Sequence, residues 1–411
     1  MNFSIMFDKE KCRGCTNCMK KCPTQAIRIK NGKAIIDHKK CIHCGECIRA
    51  CSYGAYSPEC IEWKNETNAY KCKIAIPSTT IYGQFPRGTD ICVVQNAILK
   101  LGFDYVYDES WAAELVAKAI KKKIDNNKDI RPFINTNCPA TLRLINIRYP
   151  SLTENLIALK TPMEIAGILA RNNARKKFNL EDKDIGVFYI TPCPAKLLAV
   201  TDPIGNLGPS VDWVIPLNKI YGELYQKVVK EDNLICSYPS LSGLKWSVCG
   251  GQSKSAKLTN FIAVNGMENV IQILEEIENG KLSGVDYVEV LACVQGCVGG
   301  TFNVINPFIA SSNNKYILNT LDGEPINSDL ECFEKLYNKG FFEFEFPDTE
   351  SVNKINIKEA LKKNEEIKQI LAILPGLDCG SCGSPTCLSH AEDIYNGQST
   401  IFECVVLRAN S

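Results

Sequence analysis

The apolar residues in the middle of the chain form short continuous runs that alternate with helical patterns. Such runs lie at residues 132–135, 186–190 and 287–292, each bounded by turn residues, and helical stretches lie at 90–101 and 109–124. Strands that alternate with helices favour parallel β-α units, in which helices cover a parallel sheet. We therefore predict an α/β domain with parallel sheets in this part of the chain.

The two ends of the chain have different patterns. Residues 26–36 alternate around an Asn31-Gly32 pair, which predicts a β-hairpin in a small α+β domain. Residues 357–374 predict a helix with an apolar packing face in a small C-terminal domain of helices and loops. That face comprises Ile357, Leu361, Ile367, Ile370, Leu371 and Leu374. The predicted α/β multidomain organisation has domains at 1–57, 72–325 and 356–411, a connector at 58–71 and a linker at 326–355.

The composition of the chain is unusual in its number of cysteines. The 411 residues are 45% apolar and 23% charged, enough for two or three domains, yet they include 22 cysteines beside 3 histidines. No stretch approaches the about 18 to 20 apolar residues of a membrane span. The start of the chain lacks a signal-peptide pattern, so we expect a reducing, cytoplasmic location. There, closely spaced cysteines more often bind metal than form disulfides.

The first cysteine pattern is a doubled run. Within each run the four cysteines are separated by two, two and three residues, and the second run begins 29 positions after the start of the first. In such runs the fourth cysteine reaches the other cluster. We predict one [4Fe–4S] cluster at Cys12, Cys15, Cys18 and Cys51, and a second at Cys41, Cys44, Cys47 and Cys22. Residues 4–57 resemble bacterial two-cluster ferredoxins, with zinc as the alternative metal.

The doubled run lies in a basic segment. Residues 1–56 contain 11 Lys/Arg against 4 Asp/Glu, a balance of +7 that is typical of a nucleic-acid patch. Two oxidised clusters at about −2 each lower this balance to about +3. Because the aromatic interleaving that stacks bases is absent, we interpret the basic residues as compensating cluster charge and steering an acidic redox partner. We predict no nucleic-acid partner.

The second cysteine pattern lies near the C-terminus in a Gly/Pro-rich loop. A helical stretch at 388–396 lies between the third and fourth cysteines and is expected to fold back and deliver the last ligand. The predicted [4Fe–4S] ligands are Cys379, Cys382, Cys387 and Cys404. Residues 355–408 resemble the small [4Fe–4S] domain of corrinoid-protein and Rnf-type electron-transfer subunits. Zinc or a purely structural loop is the alternative.

The third pattern consists of cysteines that directly follow the three apolar runs: Cys138, Cys193 and the pair Cys293 and Cys297. Ligands in open α/β sheets collect at the carboxyl ends of strands, so these four cysteines are candidates to converge on one site. The alternative for each is a small buried hydrophobic residue. The pair Gly299 and Gly300 indicates either a close approach of the backbone to a cluster or a plain turn.

In order and spacing, these three motifs resemble the three signatures of the [FeFe]-hydrogenase catalytic domain, over residues 72–325. The resemblance implies a two-lobed α/β hydrogenase domain in which Cys138, Cys193, Cys293 and Cys297 hold a [4Fe–4S] cluster. It implies that Cys297 also bridges to a two-iron unit carrying CO, cyanide and an azadithiolate, which completes the H-cluster. Lys196 then matches a cyanide partner, with a surface lysine as the alternative. Pro77 and Ser78 match the segment that donates to the other cyanide.

The chain also departs from the family pattern. Asn137 occupies the position of the proton-relay cysteine, and Ala199 that of a relay-associated glutamate, whereas Glu289 is retained. Thr191 and Thr301 replace a methionine and a glycine of the family pattern. Cys249 is our candidate for a replacement relay, and a buried structural thiol is the alternative. These departures affect proton delivery rather than cluster binding.

Together these patterns predict a slow [FeFe]-hydrogenase that interconverts H2 with protons and electrons, similar to the sensory or regulatory branches of that family. The alternatives are a non-catalytic H2 sensor and a Narf-like iron–sulfur protein. No nucleotide-binding glycine motif is present, so we expect ferredoxin or flavodoxin as electron partner, and maturation enzymes to supply the two-iron unit. Three accessory [4Fe–4S] clusters and the H-cluster would move the formal charge from +1 to about −7. No role is assigned to Cys60, Cys72, Cys92, Cys236 and Cys332.

Overall fold

The structure is a computed structural model that describes residues 4–58, 63–205, 208, 210–229, 238–321, 328–346 and 357–409. The strands are β1 Ile5–Phe7, β2 Ile27–Lys30, β3 Lys33–Ile36, β4 Tyr56–Pro58, β5 Cys72–Pro77, β6 Tyr105–Val106, β7 Phe133–Ile134, β8 Ile185–Thr191, β9 Trp213–Pro216, β10 Phe261–Asn265 and β11 Tyr287–Leu291. The helices are α1 Asn17–Lys21, α2 Glu46–Ala50, α3 Trp63–Thr67, α4 Ile91–Leu99, α5 Glu109–Asn126, α6 Pro139–Arg148, α7 Pro162–Phe178, α8 Pro194–Thr201, α9 Leu217–Lys227, α10 Leu241–Leu244, α11 Gly251–Ser255, α12 Met267–Glu278, α13 Pro307–Thr320, α14 Ser328–Glu331, α15 Phe333–Tyr337, α16 Ile357–Ile373, α17 Cys387–Tyr395 and α18 Val405–Ala409. Among the described residues, no helix combines the length and the apolar character that crossing a membrane requires.

The chain divides into two compact units. The described residues within 58–347 form the central unit, and those within 5–57 and 348–411 together form the second unit. The central unit contains a four-stranded parallel sheet in the order β6-β5-β8-β9 and a three-stranded parallel sheet in the order β10-β11-β7. The predicted α/β fold with parallel sheets is therefore confirmed.

Helices cover both faces of the larger sheet. Val187 and Tyr189 of β8 pack into a core with α5 and α7, whereas Phe188 and Ile190 pack into a second core with α4 and α9. All seven residues of β8 are buried, as expected for a parallel strand covered on both faces. This burial explains why β8 reads as a continuous apolar run, and it fixes the loop that follows the strand.

Local capping signals determine where the long helices begin. Asp108 caps α5 by accepting a hydrogen bond from Ser110 N. At the start of α7, Thr161 and Glu164 form a capping box, with Thr161 N donating to Glu164 Oε2 at 2.6 Å. Pro162 occupies the first helical position, where its missing N–H costs nothing. These two helices pack against each other and against the sheet.

The second unit contains the predicted hairpin. Strands β2 and β3 pair antiparallel with Lys30 opposite Lys33, and the turn residues Asn31 and Gly32 have φ values of 51° and 71°. Positive φ at both positions is what a two-residue hairpin turn requires. The predicted packing face of α16 is only partly right, because Ile367 and Leu374 are buried but Leu361 is 61% exposed. Leu361 lies where α16 extends beyond the core formed with α17.

Candidate metal centres

Two of the predicted ligands of the central unit lie where a strand passes into a helix. Cys138 follows β7 and caps α6, and Cys193 follows β8 and caps α8. Each is followed by a proline at the first helical position, which favours helix initiation at that residue. Backbone N–H groups of Ala195 and Lys196 lower the pKa of Cys193, against the larger opposing effect of burial. A helix start of this kind stabilises a thiolate.

The other two predicted ligands lie in the loop after β11. A Cβ built on Gly299 would lie 2.0 Å from Val294 O and 3.5 Å from Cys293 Cβ, and one built on Gly300 would lie 2.4 Å from Pro192 O. Only glycine allows the loop to contact the residue that precedes Cys193. The close approach is to protein backbone, and contact of these glycines with a cluster stays a prediction.

The structure brings Cys138, Cys193 and Cys297 near one another, with Lys196 beside the last two. Burial raises the pKa of Cys297, and the neighbouring Cys138 and Cys193 raise it further, whereas Lys196 lowers it. Burial likewise raises the pKa of Cys193 to about 11, with Lys196 opposing and Cys138 adding. Cys293 lies in the same loop as Cys297, where Gly296 N donates to Cys293 O at 3.0 Å. Neighbouring, half-buried thiols suit a metal cluster, whose positive iron ions stabilise the deprotonated form.

Lys196 lies at the centre of a buried hydrogen-bond network. Its side chain is 5% exposed, so the surface-lysine alternative is wrong. Lys196 Nζ lies 2.7 Å from Tyr189 Oη and 3.3 Å from Glu109 Oε1, and Tyr189 Oη donates to the same Glu109 oxygen at 2.8 Å. Thr79 N donates to Glu109 Oε2 at 2.9 Å. Burial lowers the pKa of Lys196, but Glu109 and Tyr189 outweigh it and raise that pKa well above its ordinary value.

The same network includes the segment predicted to face the second cyanide. Pro77 is the last residue of β5, and the buried Ser78 that follows it hydrogen-bonds to Tyr189. Sequence reasoning missed both Glu109 and Tyr189. Glu109 reads as an ordinary acidic residue in the first turn of a helix, and Tyr189 as one member of an apolar strand. No sequence signal joins them to Lys196.

A cavity adjoins Lys196 on the side of Asn137, and Arg143 and Glu164 also line it. Asn137 Oδ1 and Arg143 Nε are buried and have no hydrogen-bond partner among the described residues. Because buried polar atoms are nearly always paired, two unpaired ones beside a cavity indicate space for a further group. The cavity, of about 30 Å³, has room for a water-sized group, and none of the four candidate cysteines lines it, so the fit to an iron–sulfur cofactor rests on the donor set of neighbouring thiols. Burial also raises the pKa of Glu164, against hydrogen bonds from Thr161 that lower it.

Glu289 and Cys249 lie together beside the loop that carries Cys297. Glu289 is fully buried, and its carboxylate accepts hydrogen bonds from Gly250 N at 2.9 Å and from Ser253 N at 3.0 Å. It thereby fixes the start of α11. Cys249 N donates to Gln295 O at 3.1 Å, and burial raises the pKa of the Cys249 thiol although a hydrogen bond with Asn265 lowers it.

The thiols of the doubled run lie near one another in the second unit. Burial raises the pKa of Cys18, and the adjacent Cys12 and Cys15 raise it further. Burial also raises the pKa of Cys44, with contributions from Cys22 and Cys47. Cys22 belongs to the first run in sequence but lies with the thiols of the second. Cys47 also lies near Cys18, and the exchange of the fourth ligand between the two runs stays a prediction.

The C-terminal thiols also lie together. Burial raises the pKa of Cys382, and Cys404 and Cys379 raise it further. Cys387 begins α17, where its N–H donates to Asp378 Oδ1 at 2.6 Å. Across the described residues, no three His, Cys, Asp or Glu side chains are close enough to bind a single metal ion. Cys92, which has no predicted role, is disulfide-bonded.

Known protein families match the central part of the chain and both of its cysteine-rich ends. The family model "Iron only hydrogenase large subunit, C-terminal domain" matches residues 84–234 and 224–301, a 4Fe-4S dicluster domain matches 11–56, and a putative Fe-S cluster family matches 374–406. Iron hydrogenase 1 of Clostridium pasteurianum is 27% identical over 352 residues, which cover 78% of this chain and 58% of that protein. The chain spans about half the length of the curated hydrogenases it matches.

Two further similarities concern the fold and the alternative function. A variant of [FeFe]-hydrogenase HydA1 from Chlamydomonas reinhardtii superimposes with a TM-score of 0.51 at 15% identity, covering 69% of this chain and 95% of that one. The cytosolic Fe-S cluster assembly factor NAR1 of Candida albicans is 24% identical over 127 residues, which cover 28% of this chain and 21% of that protein. The structural similarity extends to the fold alone.

Proposed function

Because this chain belongs to the iron-only hydrogenase family, whose model matches more than half of its residues, we propose that it interconverts H2 with protons and electrons at an H-cluster. The observation that carries this proposal is the grouping of Cys138, Cys193 and Cys297, with the buried Lys196 beside the last two. The proposal includes slow turnover and a cytoplasmic location. Electrons exchange with a ferredoxin-type or flavodoxin-type carrier through accessory [4Fe–4S] clusters.

Cys138, Cys193, Cys293 and Cys297 would hold the [4Fe–4S] part of the H-cluster, and Cys297 would also bind the two-iron unit supplied by maturation enzymes. When bound, the two-iron unit supplies the binding and splitting of H2. The contribution of the chain is to orient donors and to exclude water. Lys196 carries a positive charge although it is only 5% exposed, and Ser78 presents a buried hydroxyl to the same network. Both suit the recognition of cyanide nitrogen atoms.

Proton supply is the step in which this chain differs from a fast enzyme. Asn137 cannot titrate, so it cannot carry a proton to or from the site. We propose that Cys249 takes part in a slower path, because its thiol titrates and its backbone contacts the loop of Cys297. Glu289 then acts as a positioning residue, since its carboxylate holds the backbone around Cys249.

Infrared spectroscopy of protein matured with the two-iron unit tests this proposal. We expect CO and cyanide stretching bands in the wild type and their loss in Cys297→Ser. Absence of these bands from fully matured wild type would contradict both an enzyme and an H2 sensor. If the bands are present, H2 oxidation with an artificial electron acceptor separates the catalyst from the non-catalytic sensor.

The second candidate is a Narf-like iron–sulfur protein without the two-iron unit. It is supported by the non-titrating Asn137 and by the similarity to NAR1 over 28% of the chain. Its expected result is a protein that binds iron and sulfide but shows no CO or cyanide bands. The buried Lys196 favours the hydrogenase, because cyanide recognition has no purpose in a protein that lacks cyanide.

A further inference from the structure

The C-terminal cluster segment lies directly against the ferredoxin-like segment within the second unit. Ile29 N donates to Gly383 O at 2.8 Å, which joins β2 to the loop of the C-terminal cysteines. A Cβ built on Gly383 would lie 2.0 Å from Ile29 O, and Gly383 has a φ of +86°. Only glycine meets both conditions. The two segments are therefore in backbone contact.

A buried ion pair fixes this contact. Arg28 donates to Asp393 through Nε at 2.6 Å and through Nη2 at 3.1 Å, and the side chains are 12% and 7% exposed. Ser384 Oγ donates to the same carboxylate at 2.8 Å. A two-pronged arginine–carboxylate pair specifies orientation as well as proximity. Part of the basic surplus of residues 1–56 thus pairs with acidic residues of α17.

The contact brings two sets of predicted cluster ligands together. A Cβ built on Gly380, between Cys379 and Cys382, would lie 3.0 Å from Met19 Cε. Met19 follows Cys18 on α1 and is fully buried. On the other side of the loop, Gln25 Oε1 accepts hydrogen bonds from Thr386 and Ser389, which flank Cys387. The loop and helix that carry the predicted C-terminal ligands therefore contact the ferredoxin-like segment at Met19 and at Gln25.

We infer that the C-terminal cluster exchanges electrons directly with the ferredoxin-like pair, so that the second unit is a single three-cluster relay. The inference rests on the cluster assignments of the proposed function but not on the H-cluster. Each step moves one electron from a reduced [4Fe–4S]⁺ cluster to an oxidised [4Fe–4S]²⁺ neighbour, which reverses their two states. No bond is formed or broken, and no proton moves. The fixed contact keeps the distance between the clusters constant.

Electron paramagnetic resonance of the full-length holoprotein, loaded with its clusters and reduced with dithionite, tests the relay. Paramagnetic clusters that lie close together couple magnetically, so they relax faster than isolated clusters and broaden each other's signals. In the wild type we expect broadening and fast relaxation beyond those of the ferredoxin-like pair alone. Cys382→Ala, which removes a ligand of the C-terminal cluster, should abolish this additional interaction and leave the spectrum of the ferredoxin-like pair.

A second comparison tests the contact itself. Arg28→Met leaves Asp393 without its partner and should weaken or abolish the interaction while all three clusters stay loaded. Arg49→Met is the matched control, because Arg49 forms an exposed pair with Glu46 on α2 and should leave the spectrum unchanged. The relay is wrong if the wild-type spectrum with all clusters loaded equals the Cys382→Ala spectrum plus that of one isolated [4Fe–4S] cluster, or if iron analysis shows no cluster at the C-terminal cysteines. Neither result depends on the infrared bands that test the proposed function.

Discussion

The buried charge on Lys196 leads to a quantitative prediction for Glu109→Gln. Glu109 is 2% exposed and accepts hydrogen bonds from Thr79 N, Tyr189 Oη and Lys196 Nζ. The substitution keeps the size and one acceptor oxygen of the side chain but removes its negative charge. Lys196 then keeps an ammonium group in a buried site without the carboxylate that hydrogen-bonds to it. The variant should therefore be strongly destabilised without any loss of packing.

The expected magnitude follows from the burial of both partners. Removing one partner of a buried ion pair costs about 3–5 kcal/mol. The remaining glutamine oxygen still accepts a hydrogen bond, so we expect about 3 kcal/mol, which is roughly a hundredfold change in the unfolding equilibrium. The matched control is Asp125→Asn on the same helix, because the Lys121–Asp125 pair is 46% and 52% exposed. Exposed pairs contribute about 0–1 kcal/mol.

Tryptophan fluorescence during urea denaturation measures the loss of stability in the central unit, which contains Glu109. All four tryptophans of the chain lie between residues 58 and 347, so their emission reports the central unit alone. The comparison uses cluster-free protein, because bound clusters would add their own binding free energy to the stability. A Glu109→Gln midpoint that equals the Asp125→Asn midpoint, at unchanged slope, would refute the reasoning that Glu109 neutralises Lys196.

Three further predictions concern the same unit. The difference in unfolding free energy between wild type and Glu109→Gln should narrow at alkaline pH. Because the folded pKa of Lys196 lies above its ordinary 10.5, the ion pair stabilises the wild type fully below pH 10.5, and this stabilisation is lost as the pH rises through the folded pKa. In the variant, deprotonation of Lys196 removes the buried charge that destabilises it. A gap that widens would contradict this. Gly299→Ala should lower the bound iron, because its Cβ would lie 2.0 Å from Val294 O, whereas Gly222→Ala, with nothing within 4 Å, should leave iron content unchanged. Cys249→Ala should slow H2 turnover with unchanged infrared bands, and unchanged turnover would remove Cys249 from the proton path.

The sequence predicts those parts of the molecule that depend on local pattern. The continuous apolar runs predict the parallel strands β8 and β11. The rule that ligands collect at strand ends predicts a shared site for the cysteines that follow these strands. The hairpin follows from Asn31-Gly32. By contrast, Lys196 and Glu109 are 87 positions apart, and Arg28 and Asp393 are 365 apart. No periodicity or motif joins residues so distant, and only the tertiary structure pairs them.

Those two distant pairs have the same physical meaning. A buried ion pair is often no more stable than well-packed apolar residues of the same volume, because both charges lose their hydration. Stability alone therefore does not explain Lys196–Glu109 or Arg28–Asp393. Each pair instead fixes the orientation of a segment beside predicted cluster ligands: Lys196 lies on the helix capped by Cys193, and Asp393 on the helix that begins with Cys387. An unpaired partner would be costly, so only one arrangement of each segment satisfies both charges, and the ligands keep the positions that a cluster requires.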